Sequence, residues 1–87
     1  MNKRWKVYIV CCADNSLYTG ITVDLDRRLK AHNSGRGSKY TRSRRPVTLV
    51  YVGPVVEQGD ALREEKRIKS LTRAQKLMII KEYSEEE

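Results

Sequence analysis

Cysteine, aromatic residues and long apolar runs are all scarce in this 87-residue sequence. Its two cysteines, Cys11 and Cys12, are adjacent, and neighbours in a strand point to opposite faces, so we expect two reduced core thiols without a disulfide or a shared metal site. No Cys or His spacing is typical of zinc. No apolar run approaches the roughly 20 residues that cross a membrane, and residues 1–7 lack the apolar centre of a secretory signal. These absences predict a soluble protein of the cytoplasm.

Acidic residues are also in the minority, with 11 against 18 basic residues, which gives a formal net charge of +7. A chain of this length holds a single core, so we expect one domain over residues 1–83. Residues 84–87 form an acidic C-terminal tail that we expect not to pack. The charge predicts a polyanionic partner, and nucleic acid is favoured over a membrane because no strongly amphipathic helix carries Trp or Phe on its apolar side.

Two short apolar runs near the N-terminus predict a β-hairpin around a three-residue loop at residues 13–15. The loop sets a register that pairs Tyr8 with Gly20 and Val10 with Tyr18. Both tyrosines then lie on one face of the sheet as diagonal neighbours, and Gly20 leaves space beside Tyr8. A slip of one residue would separate the tyrosines.

The rest of the chain predicts one strand, three helices and a basic loop. These elements are, in order, a helix over Leu25–Asn33 capped by Asp24, a loop over residues 34–45, a strand over residues 47–52, a helix over residues 60–70 capped by Asp60, and a last helix that begins with the capping-box pair Thr72 and Gln75. The order β-β-α-β-α-α indicates an α+β fold with a three-stranded, mostly antiparallel sheet flanked by helices.

A carboxylate interrupts the apolar stripe of the second long helix. The stripe consists of Ala61, Leu62, Ile68 and Leu71. Glu65 lies within it at helical spacing. Burying an unpaired carboxylate costs several kcal/mol, so Glu65 needs a cation, a metal ion or a proton as its partner. A structural ion pair with Arg28 or with a lysine accounts for this position as well as a functional role does.

Four other side chains have ordinary explanations beside functional ones. Tyr8 and Tyr18 fit the half-buried surface of a strand. Arg28 fits a solvated helix position. His32, one helical turn later, fits a cation that the helix dipole favours near the C-terminus. Each of these signals is weak on its own.

The hairpin contains the segments VYI and YTG, separated by eight residues. They resemble the paired tripeptides of the GIY-YIG nuclease superfamily, whose hairpin carries a tyrosine at each motif and a glycine closing the second. DRRLKAH is similar to the helix that follows, and this match selects Arg28 and brings in His32. ALREE resembles the segment that bears the metal-binding glutamate, which selects Glu65. The resemblance covers nearly the whole chain, as in the small stand-alone bacterial members of the superfamily.

The resemblance implies a GIY-YIG-like fold and a metal-dependent endonuclease that hydrolyses phosphodiester bonds of DNA and is structure-specific. In this hypothesis Tyr8 or Tyr18 takes a proton from water, Arg28 contacts the phosphate, and Glu65 holds one Mg²⁺ or Mn²⁺ ion that binds weakly without substrate. His32 orients a tyrosine or relays its proton. A tyrosine is a poor base at neutral pH, so we expect Arg28 and the metal ion to favour its phenolate.

A nucleic-acid surface is expected beside these residues. We assign to it Arg36, Lys39, Tyr40, Arg42, Arg44, Arg45, Lys66 and Lys69, with Arg63, Arg67 and Arg73 as further backbone contacts. Tyr40 either stacks on a base or enters the site. DNA is favoured over RNA as the partner, a protein partner that supplies specificity stays open, and the chain is expected to be a monomer or a weak dimer. The alternatives are a nucleic-acid-binding module without turnover and a basic protein–protein adaptor.

Overall fold

The computed structural model describes residues 3–86 and has a three-stranded antiparallel sheet at its centre. The strands are β1 (Lys6–Cys11), β2 (Leu17–Thr22) and β3 (Thr48–Val52), in the spatial order β2-β1-β3. β1 is the middle strand because it pairs with β2 on one side and β3 on the other. Its four inner residues are all buried, as the two-sided apolar pattern predicts. The predicted fold class is confirmed.

The β1–β2 hairpin has the predicted register. Tyr8 pairs with Gly20, and Val10 pairs with Tyr18. Asn15 supplies the left-handed residue of the loop, with φ at 69°. Asparagine tolerates this conformation better than most residues, so the turn chemistry and the alternation of side chains specify the same pairing.

Four helices surround the sheet, and one of them lies inside the predicted basic loop. They are α1 (Leu25–Asn33), α2 (Lys39–Arg42), α3 (Gln58–Lys69) and α4 (Arg73–Glu86). Asp24 caps α1 by accepting the Arg27 N–H, as expected. The prediction of a structureless loop at residues 34–45 is wrong for the single turn of α2, which Ser38 caps by accepting the Thr41 N–H. The sequence pattern does not predict this turn, because a single turn of helix is too short to show a helical periodicity of apolar residues.

The boundaries of the last two helices differ in part from the prediction. α3 begins at Gln58, so Asp60 lies in its first turn and pairs with Arg63 instead of capping the helix. The capping box of α4 is present, because Thr72 Oγ1 accepts the Gln75 N–H and the Gln75 side chain accepts the Thr72 N–H. α4 continues through Glu86, so part of the expected tail is helical, while residue 87 lies outside the described residues.

The two faces of the sheet carry separate apolar clusters. Val7 and Ile9 pack against Ala61 and Ile68 of α3 on one face. On the other face Tyr8, Val10, Cys12 and Val47 form a cluster that α1 covers with Leu25 and Leu29. Cys11 and Cys12 are free thiols, with Cys12 buried. Among residues 3–86, no helix combines the length and apolarity needed to cross a membrane.

The apolar stripe of α3 is narrower than predicted. Leu62 is 48% exposed, so its assignment to the stripe is wrong. Ala61 and Ile68 are fully buried, and Glu65 lies between them at the same helical phase. The buried positions of the helix therefore form a narrow row, with Leu62 exposed on one side of it and Arg67 on the other.

Candidate active site

The hydroxyl group of Tyr8 is the centre of the candidate site. Tyr8 is fully buried, and its hydroxyl lies 2.8 Å from Nε2 of His32. Arg28 donates a hydrogen bond from Nε to the same oxygen at 3.2 Å. Because a guanidinium group only donates, the phenol oxygen accepts from Arg28, and its own proton can be donated to Nε2 of His32 when that nitrogen is unprotonated. The three side chains thus form one hydrogen-bonded unit.

Local structure explains why these three groups meet. Arg28 and His32 are one turn apart on α1, so they share a face of that helix. Leu25 and Leu29 seat α1 on the sheet face that Tyr8 occupies. The apolar contacts of α1 therefore place Arg28 and His32 beside the Tyr8 hydroxyl.

His32 is fully buried, with both ring nitrogens in hydrogen bonds. Its Nδ1 lies 2.9 Å from Oγ1 of Thr41, a residue of α2. Burial lowers the pKa of His32 because it disfavours the charged form, and the nearby charge of Arg28 lowers it further. Both effects favour the neutral imidazole, in which one of the two hydrogen-bonded nitrogens is unprotonated.

Tyr8 remains a neutral phenol in this environment. Its pKa is raised, first by burial. The hydrogen bond and the charge of Arg28 act in the opposite direction, whereas the charges of Tyr18 and Glu65 add to the increase. As expected, Arg28 favours the phenolate, because it lowers the pKa of Tyr8, but burial raises that pKa by more. The phenolate must therefore be reached by transfer of the Tyr8 proton to a neighbour.

Tyr18 and Tyr40 extend the aromatic surroundings of the site toward solvent. The ring centroid of Tyr18 lies 6.5 Å from that of Tyr8 and 5.3 Å from that of His32. Tyr40 stacks on Tyr18 with centroids 5.9 Å apart, and the guanidinium carbon of Arg44 lies 4.0 Å from the Tyr40 centroid. Tyr40 thus packs on Tyr18 at the edge of the cluster, and both roles expected for it, stacking on a base and entry into the site, stay predictions.

Glu65 lies on α3 with its side chain 20% exposed. Its carboxylate pairs with Lys69 at 3.3 Å, so the lysine alternative for its partner is observed and Arg28 is engaged elsewhere. The Glu65 charge makes the smallest contribution to the raised pKa of Tyr8. A shared site for the Tyr8 hydroxyl and the Glu65 carboxylate stays a prediction.

A weakly held divalent ion fits this donor set. Within residues 3–86, no three or more His, Cys, Asp or Glu side chains group as a metal site would require. Mg²⁺ commonly keeps several waters and binds through one or two carboxylates together with substrate phosphates. Glu65 alone satisfies that minimum, and the pairing with Lys69 is of a kind that solvent weakens.

The predicted nucleic-acid-binding cations divide into two groups. Arg44 and Arg45 have intramolecular partners: Arg44 pairs with Asp14 at 3.0 Å, and Arg45 donates to backbone carbonyl groups of Arg42 and Asn33. Arg63, Arg67 and Lys69 pair with acids of α3. In the described part of the chain, no ion pair engages the exposed residues Arg36, Lys39, Arg42, Lys66 and Arg73. The second group is the better source of phosphate contacts.

Sequence reasoning missed Thr41 and Gly37. Thr41 is fully buried against His32, although the surrounding segment is polar and basic. A Cβ atom on residue 37 would overlap the His32 ring, so a glycine is needed there. The available signal is Ser38 three residues before Thr41, because serine is a frequent helix N-cap and predicts the turn that carries Thr41 inward.

Known proteins of similar sequence and fold match most of the chain. Residues 4–78 match the GIY-YIG catalytic domain family. The chain is 51% identical over 76 residues to the UPF0213 protein SH2523 of Staphylococcus haemolyticus, covering 87% of this chain and 93% of the relative. It is 46% identical over 87 residues to the UPF0213 protein OB0043 of Oceanobacillus iheyensis, covering all of both chains.

Two solved structures are similar in fold as well as sequence. The solution NMR structure of the UPF0213 protein BH0048 from Bacillus halodurans is 44% identical, with a TM-score of 0.58 over 88% of this chain and 82% of that one. The solution NMR structure of the protein EF2693 from E. faecalis is 36% identical, with a TM-score of 0.63 over 95% and 88%. These names state no activity, so the activity of this chain has to be argued from its site.

Proposed function

This chain belongs to the GIY-YIG family, a family of nuclease-type catalytic domains, and from that premise we propose that it is a metal-dependent endonuclease hydrolysing phosphodiester bonds of DNA. One observation carries the proposal: Arg28 and His32 both bond to the buried hydroxyl of Tyr8. A module that only binds nucleic acid needs surface cations and has no use for a buried acid–base unit. Burying the polar groups of Tyr8 and His32 in so small a core costs stability, a cost that is typical of functional sites.

The proton route in this proposal runs from water through Tyr8 to His32. In this route the phenol proton is donated to the neutral Nε2 of His32, which lies 2.8 Å from the Tyr8 oxygen. As the Tyr8 O–H bond breaks, an N–H bond forms on Nε2, and the phenol oxygen takes a proton from the attacking water, whose hydroxide bonds to phosphorus. The P–O bond to the leaving oxygen breaks at the same time, and that oxygen departs with the electron pair and takes a proton from solvent water. Because Tyr8 is closed to solvent in the free protein, neighbouring side chains must move before water reaches it. Tyr18, which is partly exposed, is the other candidate base.

Arg28 and Glu65 would act on the phosphate. Nε of Arg28 is bonded to Tyr8, and Tyr18 is a further hydrogen-bond partner of the same guanidinium. Its five N–H donors leave others for phosphate oxygens. Glu65 would hold one Mg²⁺ or Mn²⁺ ion, with the substrate phosphate completing the set of ligands. When bound, the ion supplies positive charge for the phosphate and the leaving oxygen. Release of Lys69 from Glu65 would then free a cation for the nucleic-acid backbone.

The substrate class follows from the surface around the site. Lys39, Arg42 and Lys66 are exposed cations suited to phosphates, which carry no sequence information. No recognition helix is present among the described elements, so we propose that the enzyme selects its substrate by DNA structure. The alternative is a binding module without turnover, and the closed position of Tyr8 favours it in the free protein.

The experiment that tests this function compares Glu65→Gln with Glu64→Gln. Both variants remove one negative charge from neighbouring positions of α3, but Glu64 pairs with Arg67 outside the site. With Mg²⁺ or Mn²⁺, we expect the wild type and Glu64→Gln to cut some of a panel of branched, flapped and single-stranded DNAs. Glu65→Gln should bind the same DNAs and cut at least about 100-fold more slowly.

Each other outcome identifies a different error. A wild type that cuts none of the panel leaves only the binding module. Equal cleavage by Glu65→Gln and the wild type contradicts the metal mechanism. Equal loss in both variants would show that charge on α3, and not ligation by Glu65, controls the rate.

A further inference from the structure

Thr41 is a buried hydroxyl that the proposed mechanism does not yet use. It is fully buried although it lies in a segment of basic and polar residues, and its Oγ1 is 2.9 Å from Nδ1 of His32. Its hydroxyl also lies 3.0 Å from Oγ of Ser38, the N-cap residue of α2. The single turn of α2 thus places a hydroxyl on the side of the imidazole opposite Tyr8.

The directions of these hydrogen bonds follow from the groups at the Tyr8 end. Arg28 has only donors, so the Tyr8 oxygen accepts its N–H, and the Tyr8 proton has His32 Nε2 as its acceptor when that nitrogen is unprotonated. Nε2 is then the unprotonated nitrogen of a neutral ring, and Nδ1 carries the hydrogen. Nδ1–H donates to Thr41 Oγ1, whose own proton points to Ser38. In this arrangement the Tyr8 hydroxyl, both ring nitrogens of His32 and Thr41 Oγ1 all have hydrogen-bond partners.

The opposite tautomer satisfies fewer groups. With hydrogen on Nε2, the Tyr8 oxygen would face two donors, Arg28 and His32, and the buried phenol proton would have no acceptor. The Thr41 hydroxyl is compatible with both tautomers, since it can accept a hydrogen bond from Nδ1–H or donate one to an unprotonated Nδ1. The bond to Thr41 Oγ1 gives Nδ1–H a buried acceptor, and without it that hydrogen would be unpaired.

The segment before Thr41 is fitted closely to the ring. A Cβ atom on residue 37 would overlap Nδ1 of His32 and lie 2.7 Å from its Cα, so Gly37 allows the backbone to approach the imidazole. Ser38 then accepts the Thr41 N–H at 3.1 Å and fixes the turn. Gly37 and Thr41 thus lie against one side of His32, and Ser38 holds Thr41 in place there.

We propose that Thr41 is a positioning residue that holds the Nδ1–H tautomer of His32, so that Nε2 stays available for the Tyr8 proton. The consequence for catalysis rests on the proposed nuclease function, whereas the tautomer itself does not. When His32 gains the proton from Tyr8, Nδ1–H still donates to Thr41 and the ring need not turn. Thr41 therefore holds the ring in one orientation both before and after the proton moves from Tyr8 to His32.

The test uses the fact that His32 is the single histidine of the chain. Nitrogen NMR of ¹⁵N-labelled protein separates protonated from unprotonated ring nitrogens without overlap from other residues. We expect the wild type to have hydrogen on Nδ1 and none on Nε2 above the pKa of the ring. Thr41→Val, which keeps the shape and removes the hydroxyl, should lose this preference, and Thr41→Ser should restore it. Thr41→Ala is the second variant if valine prevents folding.

Cleavage assays supply the second measurement. Loss of the partner that orients a functional histidine typically costs about 10- to 100-fold, so we expect that loss in kcat for Thr41→Val, with DNA affinity unchanged and Thr41→Ser close to wild type. Hydrogen on Nε2 in the wild type, or the same Nδ1–H tautomer in both hydroxyl-free variants, would overturn the role of Thr41. A correct tautomer in a wild type that cuts no DNA would instead refute the nuclease function alone.

Discussion

The hydroxyl oxygen of Tyr8 occupies the space that a side chain on residue 20 would need. A Cβ atom built on Gly20 would lie 2.6 Å from that oxygen and 2.8 Å from the ring carbon that bears it. The two residues are direct partners in the β1–β2 ladder, so neither can move along the sheet without the other. The glycine of the YTG motif therefore makes room for the phenol of the VYI motif.

Gly20→Ala should accordingly damage both stability and the site. Tyr8 is buried and held by His32 and Arg28, so the added methyl group would push it away from both partners. We expect a loss of about 1–3 kcal/mol in the free energy of unfolding, measured in urea. Gly59→Ala is the matched control, because its Cβ would meet only the Arg63 side chain at 3.7 Å. Alanine within α3 should stabilise the protein by about 0.5–1 kcal/mol, so losses of equal size would contradict this account.

The stability of the fold should depend on pH through His32. Burial lowers its pKa in the folded protein, so the unfolded chain takes up a proton at a higher pH than the folded chain. The stabilising contribution is present above about pH 6.5 and is lost as the pH falls through the folded pKa. Asp14 and Glu64, whose pKa values are also lowered, titrate in a more acidic range. Urea unfolding between pH 5 and 7 should show this loss in the wild type.

His32→Gln provides the control for that pH dependence. The variant is expected to be less stable at pH 7, because glutamine cannot reproduce both hydrogen bonds of the ring. Its unfolding free energy should be nearly flat over the same pH interval, since the chain then has no histidine. A slope that survives the substitution would assign the pH dependence to another group.

The hairpin and the helix α1 could be predicted because local rules agree there. Side-chain alternation, the left-handed Asn15 and the Asp24 cap each specify the same structure without help from distant residues. The helical phase that brings Arg28 and His32 onto one face follows from the same local order. For this reason the sequence alone predicts the relative placement of Tyr8, Tyr18 and α1.

Other parts of the site depend on contacts between distant segments. Thr41 is buried because His32 offers it a partner nine residues earlier, and no apolar pattern marks such a position. The sequence around Arg44 predicts a solvent-exposed cation, because it does not show that the fold brings Asp14 of the hairpin loop beside Arg44. Leu62 was misassigned because helical spacing gives the direction of a side chain but not the width of the surface that covers it.

The two tyrosines should be separable by conservative substitution. Tyr8→Phe removes the oxygen that joins Arg28 to His32, so we expect the unfolding free energy to fall by about 1–3 kcal/mol and cleavage to fall at least about 100-fold. Tyr18→Phe keeps that hydrogen-bonded unit and the ring contacts, so its stability should be close to wild type. If Tyr18→Phe loses cleavage as completely as Tyr8→Phe while staying stable, Tyr18 is the base and the route through His32 is wrong.

The last prediction concerns the salt dependence of DNA binding. If Arg28, Lys39, Arg42 and Lys66 each meet a phosphate, log K should fall with log[salt] at a slope of roughly −3 to −4. Arg42→Gln should reduce the slope by about 0.9, because one phosphate contact releases about that share of a counterion.

Arg63→Gln is the control. It removes the same charge from a residue that pairs with Asp60 and lies about 200° around α3 from Glu65, so the slope should stay unchanged. Fluorescence anisotropy with a labelled branched DNA at several salt concentrations measures all three slopes. An equal effect of the two substitutions would place the DNA on a different surface, and a flat slope in the wild type would exclude both nucleic-acid functions.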